Sequence, residues 1–259
     1  MPAPESPSPP ISLRIRDGVA HLILNRPALN VLDIASLCQL NQALRESDQP
    51  AVRVVLISSA LPRAFSAGVE VGDHVAERLD RMLSEVRENA RLLLGLRPVT
   101  IASIHGSTLG GGAEIALLCD LIIAADDTVL SFPEIGLAAF PPIAASFLLE
   151  RCPSATAMQL LLGEPMDAAQ LERAGMVNQV VARSQLEARA QQLAAGVAAR
   201  SGVALRGLIS ATRGQRAPDM LRRLDTAIAT YKATIGPSRD AVEGIRAFFE
   251  KRPAAWSHR

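Results

Sequence analysis

The alternation of apolar and polar residues changes its period within the first sixty positions. Over residues 11–25 the period is two, and it is interrupted at Asp17-Gly18, a dipeptide typical of the turn between two antiparallel strands. After Asp33, a residue suited to cap a helix, apolar residues recur at helical spacing to about Arg45. A continuous apolar run over residues 52–58 then predicts a buried strand.

Strand and helix patterns alternate over the middle of the chain, and the last part is helical. The pattern predicts a helix at 86–96 and strands at 98–104, 121–125 and 129–132. From residue 141 onward it is almost wholly helical, with segments near 155–163, 167–174, 184–200, 219–234 and 238–250. This order predicts an α/β protein whose last helices dock on the same body. We divide the chain into a disordered proline-rich tail at 1–10, a core at 11–200 and a helical region at 201–259.

Composition excludes several classes of protein. The chain has 27 basic and 26 acidic side chains and only 3% aromatic residues, whereas nucleic-acid binders need a basic face and stacking rings. No apolar stretch approaches the roughly 20 residues that span a bilayer, and the tail does not resemble a signal peptide. We therefore expect no nucleic-acid partner, no membrane partner and a cytoplasmic protein. Cys38, Cys119 and Cys152 lack disulfide or zinc spacing, which predicts reduced, buried thiols and no metal site.

The most informative segment combines glycines with two acidic residues. The run Leu109-Gly110-Gly111-Gly112 follows a predicted strand and precedes an apolar helix predicted at 113–119. Glycines let another backbone approach closely, and the first N–H groups of a helix suit a developing anion. A phosphate-binding loop is excluded, because Gly112 stands where lysine is required.

Glu114 and Glu134 each have an ordinary alternative interpretation. Glu114, in the first turn of the predicted helix, would complement the helix dipole without any catalytic role, and Glu134 alone fits a solvated turn. Together they favour an acid–base pair, because burial can keep one carboxyl protonated beside an ionised one. His74 is interpreted as a surface residue beside Asp73, which we expect to cap the following helix.

Three motifs in this order resemble the crotonase (enoyl-CoA hydratase/isomerase) superfamily. They are residues 63–71, residues 109–114 with Cys119-Asp120 behind them, and residues 132–137. The resemblance extends from Leu24 to Pro253. It implies a spiral core of repeated ββα units and a C-terminal helical region that forms a homotrimer or a dimer of trimers.

The resemblance also implies a reaction and its residues. The N–H groups of Val69 and Gly111 match the family's oxyanion hole, and Glu114 and Glu134 match the two acids of hydratases. The implied activity is addition of water to an α,β-unsaturated acyl-CoA thioester, with no cofactor beyond the coenzyme A of the substrate. Contacts to coenzyme A or the acyl group are implied for Arg26, Ala28, Ala67, Gly68, Phe140, Phe248 and Lys251.

Several alternatives stay open at this point. Residues 27–35, 70–74 and 140–145 resemble cyclic dienoyl-CoA hydratases of aromatic degradation, which makes such a ring a hypothesis for the acyl group. Isomerisation of a double bond, or binding without catalysis, fits the same superfamily. The C-terminal run 248–253 also suits a solvated tail with its phenylalanines packed inward. An apolar stripe fits either a subunit contact or an intrachain core; its members are Leu186, Ala190, Leu193 and Val197.

Overall fold

A computed structural model describes residues 9–259, and residues 1–8 of the predicted tail lie outside the described part. The strands are β1 (Ile11–Arg16), β2 (Val19–Leu24), β3 (Val54–Ser59), β4 (Ala64–Ser66), β5 (Val99–Ile104), β6 (Ser107–Leu109), β7 (Leu121–Ala125), β8 (Val129–Ser131), β9 (Met166–Asp167) and β10 (Gln179–Val181). The helices are α1 (Ile34–Ser47), α2 (Ala76–Gly95), α3 (Gly110–Leu117), α4 (Pro142–Arg151), α5 (Ser154–Leu161), α6 (Ala168–Arg173), α7 (Leu186–Ala198), α8 (Gly202–Ala211), α9 (Arg213–Thr234) and α10 (Arg239–Glu250).

The strands form two sheets. One has six strands in the order β1-β2-β3-β5-β7-β10, and the other has four in the order β4-β6-β8-β9. In three successive strand–strand–helix units, β3-β4-α2, β5-β6-α3 and β7-β8-α4, the first strand joins the larger sheet and the second joins the smaller. The predicted α/β class and the repeated ββα core are confirmed.

Local sequence signals account for the beginning of the fold. Asp17 and Gly18 both have positive φ, as a tight hairpin turn requires, and they join the antiparallel strands β1 and β2. The Asp33 carboxylate accepts the N–H of Ser36 at 2.8 Å and caps α1. The predicted hairpin and the predicted cap are both confirmed.

Two expectations about α2 are wrong. This helix begins at Ala76, ten residues before the predicted start, because Leu79 and Leu83 already turn into the core between charged outward residues. Asp73 does not cap it: the buried carboxylate accepts the N–H of Ile34, the first residue of α1, at 2.9 Å and pairs with Arg78. Asp73 therefore joins the starts of two helices.

The apolar stripe of α7 lies within the chain's own core. Leu186 and Ala190 are buried against the six-stranded sheet, on the side occupied by Leu56 and Ile101, and Leu193 and Val197 pack partly buried beside them. Of the two readings open from the sequence, the intrachain core is the one observed.

The C-terminal helices pack on the rest of the fold. Helix α9 contacts α2 and α4, and α10 contacts the 3₁₀ turn Pro133–Leu137. Arg213, at the start of α9, donates to Asp120 at 2.6 Å and to the carbonyl of Pro98 at 2.9 Å, which attaches α9 to the larger sheet.

Two further expectations concern membranes and cysteines. Among residues 9–259, no helix combines the length and the apolar character needed to span a membrane. All three thiols are free; Cys119 and Cys152 are buried, but Cys38 is only half-buried, so the expectation of three buried thiols is wrong for that residue.

Candidate active site

Parallel pairing in the smaller sheet brings three loops to one edge. Strand β4 pairs with β6, and β6 pairs with β8, all three in parallel. The segments that leave their carboxyl ends carry Val69, then Gly111 and Glu114, then Glu134. The carboxyl ends of parallel strands lie at the same edge of a sheet, which is the usual position of ligand sites in such folds.

Glycines allow the first two of these segments to touch. Gly68 has a φ of +92°, and a Cβ built on it would lie 3.0 Å from the carbonyl oxygen of Leu109 and 3.3 Å from the nitrogen of Gly111. A Cβ on Gly112 would lie 2.5 Å from that of Ser66. The backbones therefore make the close approach that the glycine run predicted.

The two expected oxyanion donors lie at this contact. Leu32 forms a parallel β-bridge opposite Val69: its N–H donates to the carbonyl of Gly68, and its carbonyl accepts the N–H of Glu70. The N–H of Val69 itself takes no part in this bridge. The N–H of Gly111 lies in the first turn of α3, where no intrahelical acceptor exists. Neither N–H is used by the Leu32 contact or by a helical hydrogen bond of this first turn.

Helix α3 begins at Gly110 and not at 113, so Glu114 lies in the second turn and the first-turn dipole interpretation is wrong. Glycine has a low intrinsic helix propensity, which is why the sequence pattern predicted a later start. Tertiary contact overrides that propensity here, because only glycines fit the contact with the 63–71 segment.

Glu114 is a buried carboxyl held by the start of another helix. It is 2% exposed, and its Oε1 accepts the N–H of Ala144, in the first turn of α4, at 2.8 Å. Burial, and then the nearby Glu134 carboxylate, raise the pKa of Glu114 to about 8.

Glu134 lies in the 3₁₀ turn that follows β8. A Cβ on Gly110 would be 2.5 Å from its Oε1, so the carboxyl lies directly against the start of α3. Oε2 is buried and has no hydrogen-bond partner within residues 9–259. Burial raises the pKa of Glu134 to about 7. These features do not match a solvated turn.

Glu114, Glu134, Val69 and Gly111 all line one cavity of about 680 Å³. Its other lining residues are mostly apolar, and they include Ala67, Gly68, Phe140 and Phe248 from the expected contacts. A cavity of this size and character is typical of a small-molecule site.

The other three expected contacts do not line this cavity. Arg26 donates to the carbonyl of Val31 and to Asp33 at 2.8 Å, so its side chain stabilises its own loop. Ala28 is exposed in that loop. Lys251 is exposed just beyond α10.

Two of the cavity residues that were not expected, His74 and Tyr231, have polar side chains. His74 is half-buried and lines the cavity, so its interpretation as a surface residue is wrong. Tyr231, the only tyrosine of the chain, reaches the cavity from α9, and its ring centroid lies 5.0 Å from that of Phe140. No sequence motif marks Tyr231, because it comes to the site through helix packing alone.

The sequence matches the family described as Enoyl-CoA hydratase/isomerase over residues 14–259. The chain belongs to this family. The resemblance found in the sequence motifs is thereby confirmed.

Individual relatives agree with this membership. The chain is 36% identical over 247 residues to the cyclohexa-1,5-dienecarbonyl-CoA hydratase of Thauera aromatica, covering 94% of this chain and 95% of that protein. It is 31% identical over 258 residues to the carnitinyl-CoA dehydratase of Proteus mirabilis, with 96% and 98% covered. The crystal structure of carnitinyl-CoA hydratase from Mycobacterium avium superposes with a TM-score of 0.83 at 27% identity, covering 96% of this chain and 99% of that one.

Proposed function

We propose that this protein adds water across the α,β double bond of an acyl-CoA thioester. One observation carries the proposal: Glu114 and Glu134, both with raised pKa values, line the same cavity as Val69 and Gly111, whose N–H groups are the candidate oxyanion donors. An acid–base pair beside an oxyanion hole is the minimum apparatus for conjugate addition through an enolate.

The reaction balances with these groups alone. The carboxylate of the pair takes a proton from water as its oxygen bonds to the β carbon, and the π electrons move to the thioester oxygen. The N–H groups of Val69 and Gly111 stabilise that oxygen, by about 3–4 kcal/mol per donor in comparable sites. The protonated carboxyl then delivers its proton to the α carbon, and the enolate returns to a thioester. The pair ends with as many protons as it had before.

Coupled ionisation supports the assignment of both carboxyls. The charge of Glu134 contributes, after burial, to the raised pKa of Glu114, so an ionised Glu134 favours the protonated form of Glu114. Near neutral pH such a pair holds a proton on one member while the other can ionise. The protonation states that the reaction requires therefore coexist at physiological pH.

Labelled oxygen distinguishes hydration from isomerisation. In water enriched in ¹⁸O, the purified protein should convert an enoyl-CoA into a hydroxyacyl-CoA that contains the label, with loss of absorbance of the conjugated thioester. Movement of the double bond without label would identify an isomerase, the runner-up function. No turnover across a panel of enoyl-CoA thioesters would favour a non-catalytic member and reject the proposal.

A cyclic dienoyl group is our proposal for the acyl part. The Thauera relative is named for such a substrate, and Phe140 and Pro142 give this cavity rigid apolar surface suited to a flat ring. Relative kcat/KM values for cyclohexa-1,5-dienecarbonyl-CoA and crotonyl-CoA test this. Turnover of crotonyl-CoA alone would reject the ring while leaving hydration intact.

For coenzyme A we propose contacts at the C-terminal end and at the 26–33 loop. Phe248 lines the cavity, and Lys251 follows it by three residues, near enough in sequence to offer its ammonium to a phosphate. Arg26 and Ala28 are proposed at the pantetheine entrance. Lys251→Ala should raise KM for an acyl-CoA but not for the same thioester lacking the 3′-phosphate. An equal KM effect on both thioesters would reject the phosphate contact.

We also propose a homotrimer, alone or paired into a hexamer. Exposed apolar side chains on α4, α5 and the residue after α5 would be covered in such an assembly; they are Leu149, Met158 and Leu162. Sedimentation across a dilution series, assayed in parallel, tests the assembly. A fully active monomer would reject a site that depends on a neighbouring subunit.

A further inference from the structure

Two polar side chains of the 680 Å³ cavity have no part in the proposed reaction. The polar or charged residues that line it are Glu70, His74, Glu114, Glu134 and Tyr231. Hydration uses the two glutamates of the acid–base pair, and Glu70 accepts the N–H of Gly72 at 3.2 Å. His74 and Tyr231 remain.

These two residues line both this cavity and a neighbouring chamber. That chamber, of about 270 Å³, lies between the start of α2, the end of α9 and α10. Four residues line both spaces: Val71, His74, Leu137 and Tyr231. His74 and Tyr231 are thus the two polar residues among the four that border both spaces.

The Tyr231 hydroxyl lacks a protein partner. The residue is 2% exposed and lines the cavity, and no residue in the 9–259 range forms a hydrogen bond with its hydroxyl. An enclosed phenol without a partner is unfavourable compared with phenylalanine. The partner of this hydroxyl is therefore water or a polar group of a molecule bound in the cavity.

His74 presents the complementary group. Its Nδ1 lies 3.0 Å from the carbonyl oxygen of Glu70, and a carbonyl can only accept, so Nδ1 carries the hydrogen. Burial lowers the pKa of His74, which favours the neutral ring with a lone pair on Nε2. A phenol that can donate and an imidazole that can accept, both lining the same cavity, match an alcohol, which can accept from one and donate to the other.

The surrounding charge excludes an anionic substituent. Neither chamber is lined by a lysine or arginine among residues 9–259, whereas Glu70, Glu77, Glu114 and Glu134 line one or the other. A carboxylate on the acyl group would be desolvated among these side chains without a cation to pair with. A neutral oxygen substituent meets no such penalty.

We propose that Tyr231 and His74 form a subsite for a neutral hydroxyl group on the carbon skeleton of the acyl group. The preferred substrates are then uncharged, hydroxylated acyl-CoA thioesters. This inference rests on the proposed function in that the cavity must take an acyl-CoA.

Binding of saturated thioesters tests the subsite, because these molecules cannot be hydrated. Dissociation constants would be measured by calorimetry for cyclohexanecarbonyl-CoA and its 3- and 4-hydroxy derivatives, which lack the β-hydroxyl of a hydration product, with the wild type and Tyr231→Phe. For at least one position, the wild type should bind the hydroxylated thioester about tenfold more tightly than the unsubstituted one. In Tyr231→Phe this ratio should fall to about one, since only the phenolic oxygen is lost.

A matched control removes a hydroxyl elsewhere on the same helix. Thr230 is exposed and bonds only to the carbonyl of Thr226, so Thr230→Val should keep the wild-type ratio. His74→Leu should reduce the ratio as Tyr231→Phe does. Absence of a preference at every position, or a preference that survives Tyr231→Phe, would overturn the subsite.

The two proposals fail in distinguishable ways. A hydroxyl preference lost in Tyr231→Phe, in a protein that adds no labelled oxygen to any enoyl-CoA, would reject hydration and retain the subsite. Labelled product in a protein that shows no such hydroxyl preference would retain hydration and reject the subsite. Failure of every acyl-CoA to bind would reject both.

Discussion

Glu114 accepts the N–H of Ala144 at 2.8 Å, so the start of α4 fixes a carboxyl that burial would otherwise leave without a partner. The N-terminal end of a helix favours the anionic form of such a group. Burial acts in the opposite direction and prevails, since the pKa of Glu114 is raised to about 8. The carboxyl is thus held in one orientation while it stays able to carry a proton at neutral pH.

This balance predicts how stability depends on pH. Glu114 and Glu134 have raised pKa values in the folded protein, about 8 and about 7, against an ordinary value of 4.5. At pH values between 4.5 and about 8, the native state binds more protons than the unfolded state. The free energy of unfolding therefore falls as pH rises through this range. The slope is at most about 1.4 kcal/mol per pH unit for each group.

Chemical denaturation of the wild type and of the double variant Glu114→Gln/Glu134→Gln, repeated across this pH range, checks that expectation. The difference in unfolding free energy between the two proteins isolates the pair from all other titrating groups. As pH rises, the double variant should become more stable relative to the wild type. A difference that does not change with pH would contradict the raised pKa values.

Gly110→Ala should disrupt catalysis. Gly110 has a φ of +49°, and an added Cβ would lie 2.5 Å from Glu134 Oε1, so the carboxyl must move. A shift of about 1 Å in a reacting group can lower the rate about a hundredfold. The measurement is kcat of the purified variant, with circular dichroism to verify folding.

Gly196→Ala is the matched control for that substitution. Gly196 lies inside α7 with nothing within 4 Å of its added Cβ. The control should keep kcat and gain about 0.5–1 kcal/mol of stability, because alanine favours a helix over glycine. Equal kcat in Gly110→Ala and the wild type would contradict the close contact between Gly110 and Glu134.

Asn30 should prove important for both stability and activity. Its buried amide donates to the carbonyl of Phe65 at 2.9 Å and to Ser59 at 2.8 Å, while its oxygen accepts the N–H of Arg26. These bonds join the 26–33 loop to the segment that carries Val69. Asn30→Gly keeps the positive φ of this position but removes the side chain, which should cost about 1–3 kcal/mol.

Thermal or urea unfolding measures that loss, and kcat should fall with it as the Val69 loop loosens. Gln42→Ala, which removes an exposed hydrogen bond to Glu46, should stay within about 0.5 kcal/mol of the wild type. A loss in Asn30→Gly no larger than in Gln42→Ala would show that the loop is held by other contacts.

Local chemistry explains which parts of the fold could be predicted. The Asp17-Gly18 turn and the Asp33 cap depend on neighbours in sequence, so their residue types alone predict them. Strands β4 and β6 have three residues each and are stabilised by pairing within the smaller sheet, β4 with β6 and β6 also with β8; the sequence pattern showed neither strand. The start of α3 was missed because a long-range glycine contact overrides helix propensity.

The candidate site divides in the same way. Motif resemblance pointed to Glu114, Glu134, Val69 and Gly111, and the three parallel strands of the smaller sheet do bring them to one cavity. Tyr231 reaches the same cavity only through the packing of α9 against α2 and α4, and no local pattern encodes that. Its contribution could be seen only in three dimensions.

Rates of hydration by Glu114→Gln and Glu134→Gln test the central claim most directly. Each substitution keeps the shape of the side chain but removes its ability to exchange a proton. Hydration of an enoyl-CoA, followed by loss of thioester absorbance near neutral pH, should fall by about 10²–10⁴-fold in either variant. Near-wild-type hydration by either one would contradict the paired-carboxyl mechanism.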